Sequence, residues 1–345
     1  MVQKVKAFLT RKGVTLSWRS YFITALSYMA LGLFSSLIIG LIIKTVGEEL
    51  QWEPLIEMGS FAMQPEIWGG AIGVAIAYGL NAPPLVVFAA LFSGAFSASV
   101  GGGPAGSYIA ALCSIEIGKL VSKETKLDIL ITPFVTIVVG FVIGFTISPS
   151  VHAFMTGFGD VVIWATERQP FVMGILVAVL MGWALTAPIS SVAIAIMIDL
   201  EGVAAGAATV GCAAQMIGFG VMSYRENGIG GLFAQGIGTS MLQVANIVKK
   251  PILIIPPTIA GALLAPIATM GWLGTEMVNN DSGAGMGTSG FVGQIMTIQT
   301  MGFTQEVLIS ILLLHIIGPA LITLILSEWF RKKGWIQLGD LKIDY

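Results

Sequence analysis

A chain of 345 residues that is 55% hydrophobic and only 10% charged, with a mean hydropathy of +0.88, cannot be a soluble globule, whose charged share is about 25%. It reads as an integral membrane protein. The net charge of −2 comes from 17 basic and 19 acidic residues, which offers no basic field for nucleic acid and excludes DNA binding. Cys113 and Cys212 both lie in apolar runs, so neither a disulfide framework nor a Cys-rich metal site is expected. The 43 glycines suit helices that approach closely and break, as a polytopic bundle requires.

Residues 1–20 carry Lys4, Lys6, Arg11, Lys12 and Arg19, and a charge-free run follows from Tyr21 to Ile43. Basic residues ahead of a first span predict a cytoplasmic N-terminus, and the run is too long for a secretory h-region. The connection holding Glu48, Glu49, Glu53 and Glu57 suits the opposite side. From Ile67 to Ile115 there is no charge, but Asn81-Ala-Pro-Pro84 and Gly101-Gly-Gly-Pro104 interrupt the run. Three short crossings or broken helices are expected, with both breaks sheltered from lipid. Lys119, Lys123 and Lys126 then mark a cytoplasmic loop.

Further apolar runs lie at 129–149, 171–198, 203–222, 229–248, 252–272 and 305–327, each long enough to span about 30 Å of hydrocarbon. Between the first two, residues 151–169 mix charge with Phe154, Phe158 and Trp164, as an interfacial helix or a loop would. The total is about ten transmembrane helices, which returns Arg331, Lys332 and Lys333 to the cytoplasm. The expected plan is a transmembrane domain over 21–327 and a cytoplasmic tail over 328–345. Leu80-Asn-Ala-Pro83 and Leu185-Thr-Ala-Pro188 share an ending, a similarity that composition alone can also produce.

The segment from Gly271 to Gln294 is poor in helix formers and rich in Gly, Ser, Thr and Asn. Such a backbone exposes amides and carbonyls, and Glu276 and Asp281 add acceptors suited to solute hydroxyls. A solvated loop would have the same composition. The following run Phe291 to Phe303 is too short to cross and fits one arm of a re-entrant hairpin at about 273–303, which would carry Glu276 to membrane depth. Thr275, Glu276, Asn279, Asn280 and Asp281 are therefore candidate solute-binding residues. Asn81 joins them at its proline break, where it could equally cap the next helix. His315 joins them as an ionisable residue near the middle of a span, although a histidine satisfied by a neighbouring carbonyl is commoner. Walker, HExxH and G-x-S-x-G patterns are missing, so no catalytic centre, metal or cofactor is expected.

These features resemble a known family. The apolar crossings, the segment Ala71-Ile-Gly-Val-Ala-Ile-Ala-Tyr-Gly-Leu80 and the late Gly274-Thr-Glu276 are similar to the membrane IIC subunits (EIIC) of the bacterial sugar phosphotransferase system. More closely, the chain resembles the stand-alone branch that includes the perfringolysin O regulator proteins. Gly-Thr-Glu approximates the Gly-Ile-Thr-Glu signature of the glucose-type subunits, with Met277 where a proline commonly follows. The resemblance implies an all-α EIIC-like membrane fold with broken helices and re-entrant hairpins, a homodimer, alternating access in the bacterial inner membrane, and a sugar-like substrate held by Glu276. It also implies a separate EIIB partner that phosphorylates the substrate. A membrane sensor that binds its ligand without productive transport is the alternative.

Overall fold

The computed structural model describes residues 8–343. The chain forms two compact units that divide between Phe154 and Met155. Among the described residues every named element is helical, and one isolated bridge pairs Gly202 with Asn279. The chain is an all-α membrane protein, with six helices long and apolar enough to cross a bilayer and a shorter apolar one at Pro170–Thr186 among the described residues.

In the first unit α1 (Ser20–Glu49) is followed by α2 (Glu53–Ala62), which starts with Pro54 in its first turn, where no amide partner is lost. The acidic connection is therefore partly helical and folds back along α1, with Gly59 against the Gly40 carbonyl. α3 (Pro65–Gly79) continues the same passage, placing Ala71 on Gly32 and Gly79 on the ring of Tyr28. Asn81 then takes a left-handed conformation, φ 51°, and Pro83-Pro84 open α4 (Pro84–Ser97). The second break falls at Val100 and Gly101, the latter at φ 83°, before α5 (Gly103–Val121). Proline and glycine stop these helices because one lacks an amide donor and the other tolerates left-handed backbone. α3 and α4 run antiparallel in near backbone contact: a Cβ on Gly73 would lie 2.1 Å from the Ala90 carbonyl oxygen.

α6 (Asp128–Thr166) holds Pro133 and Pro149 within 39 residues. Residues 151–166 are thus helical and continuous with the apolar run before them, not a loop. Arg11 bridges Glu124 at 2.8 Å, so the N-terminal segment and the α5–α6 loop share one end of the unit, as the charge pattern requires.

The second unit is built around α9 (Gly202–Met222), whose residues are almost all buried. Its small residues, Gly211 and Gly218 among them, let α7 (Pro170–Thr186) and α12 (Ile255–Thr269) approach closely. α15 (Gln305–Lys332) packs on a further face, with Thr323 against Gly218. The run 171–198 is not one crossing. Pro188 forces Ala187 into extended backbone, and α8 (Ser191–Met197) leads back to the end where α9 begins. Both Leu-x-Ala-Pro segments therefore sit at helix stops.

The run 229–248 is also not a crossing. It is split into α10 (Tyr224–Phe233), a π turn at Ala234–Gly238, extended Thr239, a 3-10 turn at Ser240–Gln243 and α11 (Val244–Lys249). Asn227 on the ingoing arm and Gln243 on the returning arm both donate to the Leu341 carbonyl, at 2.8 and 2.9 Å. Both arms therefore belong to the same end, and the segment is a re-entrant hairpin. Its buried amides form a ladder: Gln243 donates to Gln235 at 2.8 Å and Asn246 to Gln243 at 2.8 Å. Broken backbone at membrane depth needs such internal partners.

The C-terminal segment closes this ladder and is not a loose tail. Asn246 donates to the Lys342 carbonyl, and Ile336 and Leu341 pack with Phe219, Leu253 and Phe330. Lys250 bridges Asp340 at 2.6 Å. Burial opposes the Asp340 charge, but the Lys250 ammonium and the Gln337 amide outweigh it and hold the carboxyl below its ordinary range. A depressed folded pKa stabilises docking above the unfolded value of about 3.9 and loses that contribution as pH falls through the folded value. Protease cleavage after Lys333 should therefore stay slow at neutral pH and accelerate only once the pH has fallen below the ordinary aspartate range, because the Lys250 ammonium keeps Asp340 charged through it. Asp340→Asn should show the faster cleavage at neutral pH; equal rates would remove the bridge as the clasp.

Candidate functional site: two hairpins meeting beside α9

A second hairpin enters the unit from the opposite end. Thr269, closing α12, donates to the Pro170 carbonyl at 2.8 Å, and the Met277 amide donates to Ala268 at 3.0 Å. This end therefore holds the starts of α7 and α9. From Glu276 the chain descends along α9: Met277 packs on Gly206, Asn279 bonds Thr209, and Gly287 packs on Cys212. After the tip, α14 (Val292–Met301) climbs back. The tip needs left-handed backbone at Gly287, Gly290 and Phe291.

The two hairpin tips touch. Thr288 donates to the Gly236 carbonyl, and Ser289 donates to Gly238 at 2.8 Å. Around this contact Thr186 and Ser240 hydroxyls lie 2.8 Å apart, and Gln215 donates to Thr258 at 2.9 Å. The centre thus combines broken backbone with hydroxyl and amide side chains, and the tips lie beside Met216 and Ile217, just past the middle of α9.

The residues expected to bind solute occupy different levels of this hairpin. Asn279 is 1% exposed; its amide nitrogen reaches Thr209 at 2.8 Å, the Gly293 carbonyl at 3.0 Å and Thr297 at 3.0 Å. It is committed to tying both arms to α9. Asn280 caps the short helix α13 (Asp281–Ala284) by accepting from Gly283 at 2.9 Å. Asp281 accepts from the Ser282 amide and hydroxyl at 2.6 and 3.1 Å. Glu276 is exposed and Thr275 half-buried beside it. Glu276 stands at the hairpin mouth, level with the first turns of α9, because the descent into the unit begins only after it. The expectation of a deeply placed Glu276 is corrected to that extent. Asn81 belongs to the first unit, is exposed, and closes α3 without capping α4, whose N-cap is Pro83.

His315 is fully buried in α15. Its carbonyl faces Pro319 one turn on, which has no amide to donate, and the helix widens into a π turn over Leu312–Ile317. His315 Nδ1 lies 3.1 Å from Gln294 Nε2 on α14. The other imidazole nitrogen and the amide oxygen of Gln294 lack partners among the described residues. Sequence reading missed Thr186 and Ser240, and it left Gln215, Thr288, Ser289 and Gln294 without a role. Thr186, Gln215 and Ser240 signalled only as uncharged polar residues inside runs that pass as apolar spans, whereas Thr288, Ser289 and Gln294 lie in the Gly-rich segment 271–294.

Among the described residues no three His, Cys, Asp or Glu side chains converge to hold a metal ion. The comparison with protein families decides the class: the model for the phosphotransferase system EIIC family matches residues 23–343. The chain belongs to the phosphotransferase-system EIIC family. No curated protein and no solved structure matches it. This EIIC chain is accordingly a multi-pass membrane transporter of the phosphotransferase type, and its broken helices beside α9 are the sort of backbone on which transporters build binding sites.

Proposed function

We propose that this EIIC chain binds a small hydroxylated, sugar-like solute and translocates it by alternating access across the bacterial cytoplasmic membrane. Both termini face the cytoplasm, the working form is a homodimer, and a separate EIIB protein supplies phosphoryl transfer. The meeting of two hairpin tips from opposite ends at mid-α9 carries the reading. A break exposed from either end gives a bound solute two exits, and rearranging either hairpin opens one of them. In this reading Thr275, Glu276 and Asp281 form an acceptor-rich mouth that captures hydroxyl groups, Asn279 and Asn280 hold that mouth in shape, and the buried Gln294 and His315 offer polar atoms deeper in. Asn81 has no part in capture.

Uptake of a labelled sugar panel into vesicles carrying the protein, with and without EIIB, tests it. Saturable flux supports the carrier, whereas saturable binding without flux would replace it with a sensor. Glu276→Gln should fold normally and weaken binding by roughly tenfold, the order expected for one lost charge-assisted hydrogen bond. Unchanged affinity would remove Glu276 from recognition.

A further inference from the structure

The first unit holds a basic cavity that the carrier mechanism does not use. It has a volume of about 360 Å³ and is lined by Arg11, Lys12, Pro83, Lys119, Ser122, Lys123 and Glu124. These residues come from the N-terminal segment, the α3–α4 break and the end of α5, so the cavity opens where several helices end together. Lys119 is 2% exposed and donates to Glu116 at 3.0 Å and to the Gly13 carbonyl at 3.2 Å. Lys12 is also buried, its ammonium reaching Glu124 and the Ser122 carbonyl. Two buried ammonium groups at a helix C-terminus make a fixed site rather than a loose surface patch.

Charge accounting leaves this cavity positive. Glu116 and Glu124 offset two of the four cations, and hydrogen bonding from Lys12, with Arg11 beyond it, holds Glu124 below the ordinary carboxylate range and therefore charged. Asp128 accepts from the Lys123 amide and the Thr132 hydroxyl, which trims the excess further. About one uncompensated positive charge remains, the complement of a single phosphodiester. Close in sequence to the lining residues the chain exposes large apolar groups: Leu16 and Trp18 before α1, and Leu127, Ile129 and Leu130 at the start of α6. A basic cavity at a helix end beside an apolar face matches a phospholipid, head and chains together, better than a free anion.

We infer that this cavity binds the phosphate headgroup of an anionic phospholipid at the membrane surface where α5 ends. The test is native mass spectrometry of the full chain released from vesicles of phosphatidylcholine alone or mixed with phosphatidylglycerol. The wild-type chain should retain phosphatidylglycerol in preference to phosphatidylcholine. The exposed pair Arg11→Gln and Lys123→Gln should together lower that preference by roughly thirtyfold, at about fivefold per basic group near the surface. Inorganic phosphate should not displace the lipid. Equal retention of the two lipids by the wild-type chain would overturn the inference without recourse to a variant. An unchanged preference in the double variant, or displacement by inorganic phosphate, would overturn it as well.

Discussion

Gly211→Ala should unfold or grossly destabilise the protein, although alanine is the better helix former. In the middle of α9 the exchange would ordinarily contribute about 1 kcal/mol of helix stability. Here a Cβ would lie 2.0 Å from the Ala178 carbonyl oxygen and 2.5 Å from both the carbonyl carbon and Cα of Ala178. All three are backbone atoms of α7, so no rotamer change can relieve the overlap, and the two helices must separate along a buried crossing. Overpacking costs about 1–3 kcal/mol and sometimes more, and with only backbone atoms in the way the upper end applies, which exceeds the propensity gain and uses up much of an ordinary stability margin. Gly157→Ala, in α6 with nothing within 4 Å of the new atom, is the matched control and should be neutral or mildly stabilising. Thermal unfolding in detergent, followed by intrinsic fluorescence, compares them. Equal midpoints for the two variants would mean that α7 and α9 do not touch as described.

That crossing shows what the sequence makes legible and what it hides. Pro83, Pro84, Gly101 and Pro188 mark helix ends, because a missing donor or a left-handed residue acts locally, although Pro133 and Pro149 are carried inside α6. The charge pattern likewise places the N-terminal segment beside the α5–α6 loop, and the Arg11 to Glu124 bridge joins them. The hairpin over Tyr224–Lys249 was not legible as a hairpin. Ile229, Leu232, Phe233, Met241 and Leu242 supply enough apolar character to pass as a span, while the decisive groups are the uncharged amides Gln235, Gln243 and Asn246. Hydropathy cannot tell an amide satisfied by a folded-back arm from one satisfied by a neighbouring span, since the partners are far away in sequence. The same blindness concerns depth. The Gly-rich segment after α12 reads as irregular, but whether Glu276 or Ser289 marks its innermost point depends on where along α9 it docks. Asn279, through Thr209, fixes that register.

Gln294 and His315 give the sharpest separation of recognition from packing. A buried polar atom without a partner costs about 1–3 kcal/mol, whereas replacing both members of a buried pair by apolar groups of similar shape can be neutral or stabilising. If the pair merely fills the space between α14 and α15, Gln294→Leu or His315→Phe alone should destabilise by orphaning the other, and the double variant should recover full stability and full function. If instead the unpartnered imidazole nitrogen and amide oxygen receive a solute hydroxyl during transport, the double variant should recover stability but lose solute binding at least tenfold, the order of one or two buried hydrogen bonds. The expected result is the second pattern: restored thermal midpoint with lost binding and flux. Wild-type transport in a stable double variant would confine the pair to a structural role and move the binding centre to the hydroxyl groups of Thr186, Ser240 and Thr288 beside α9.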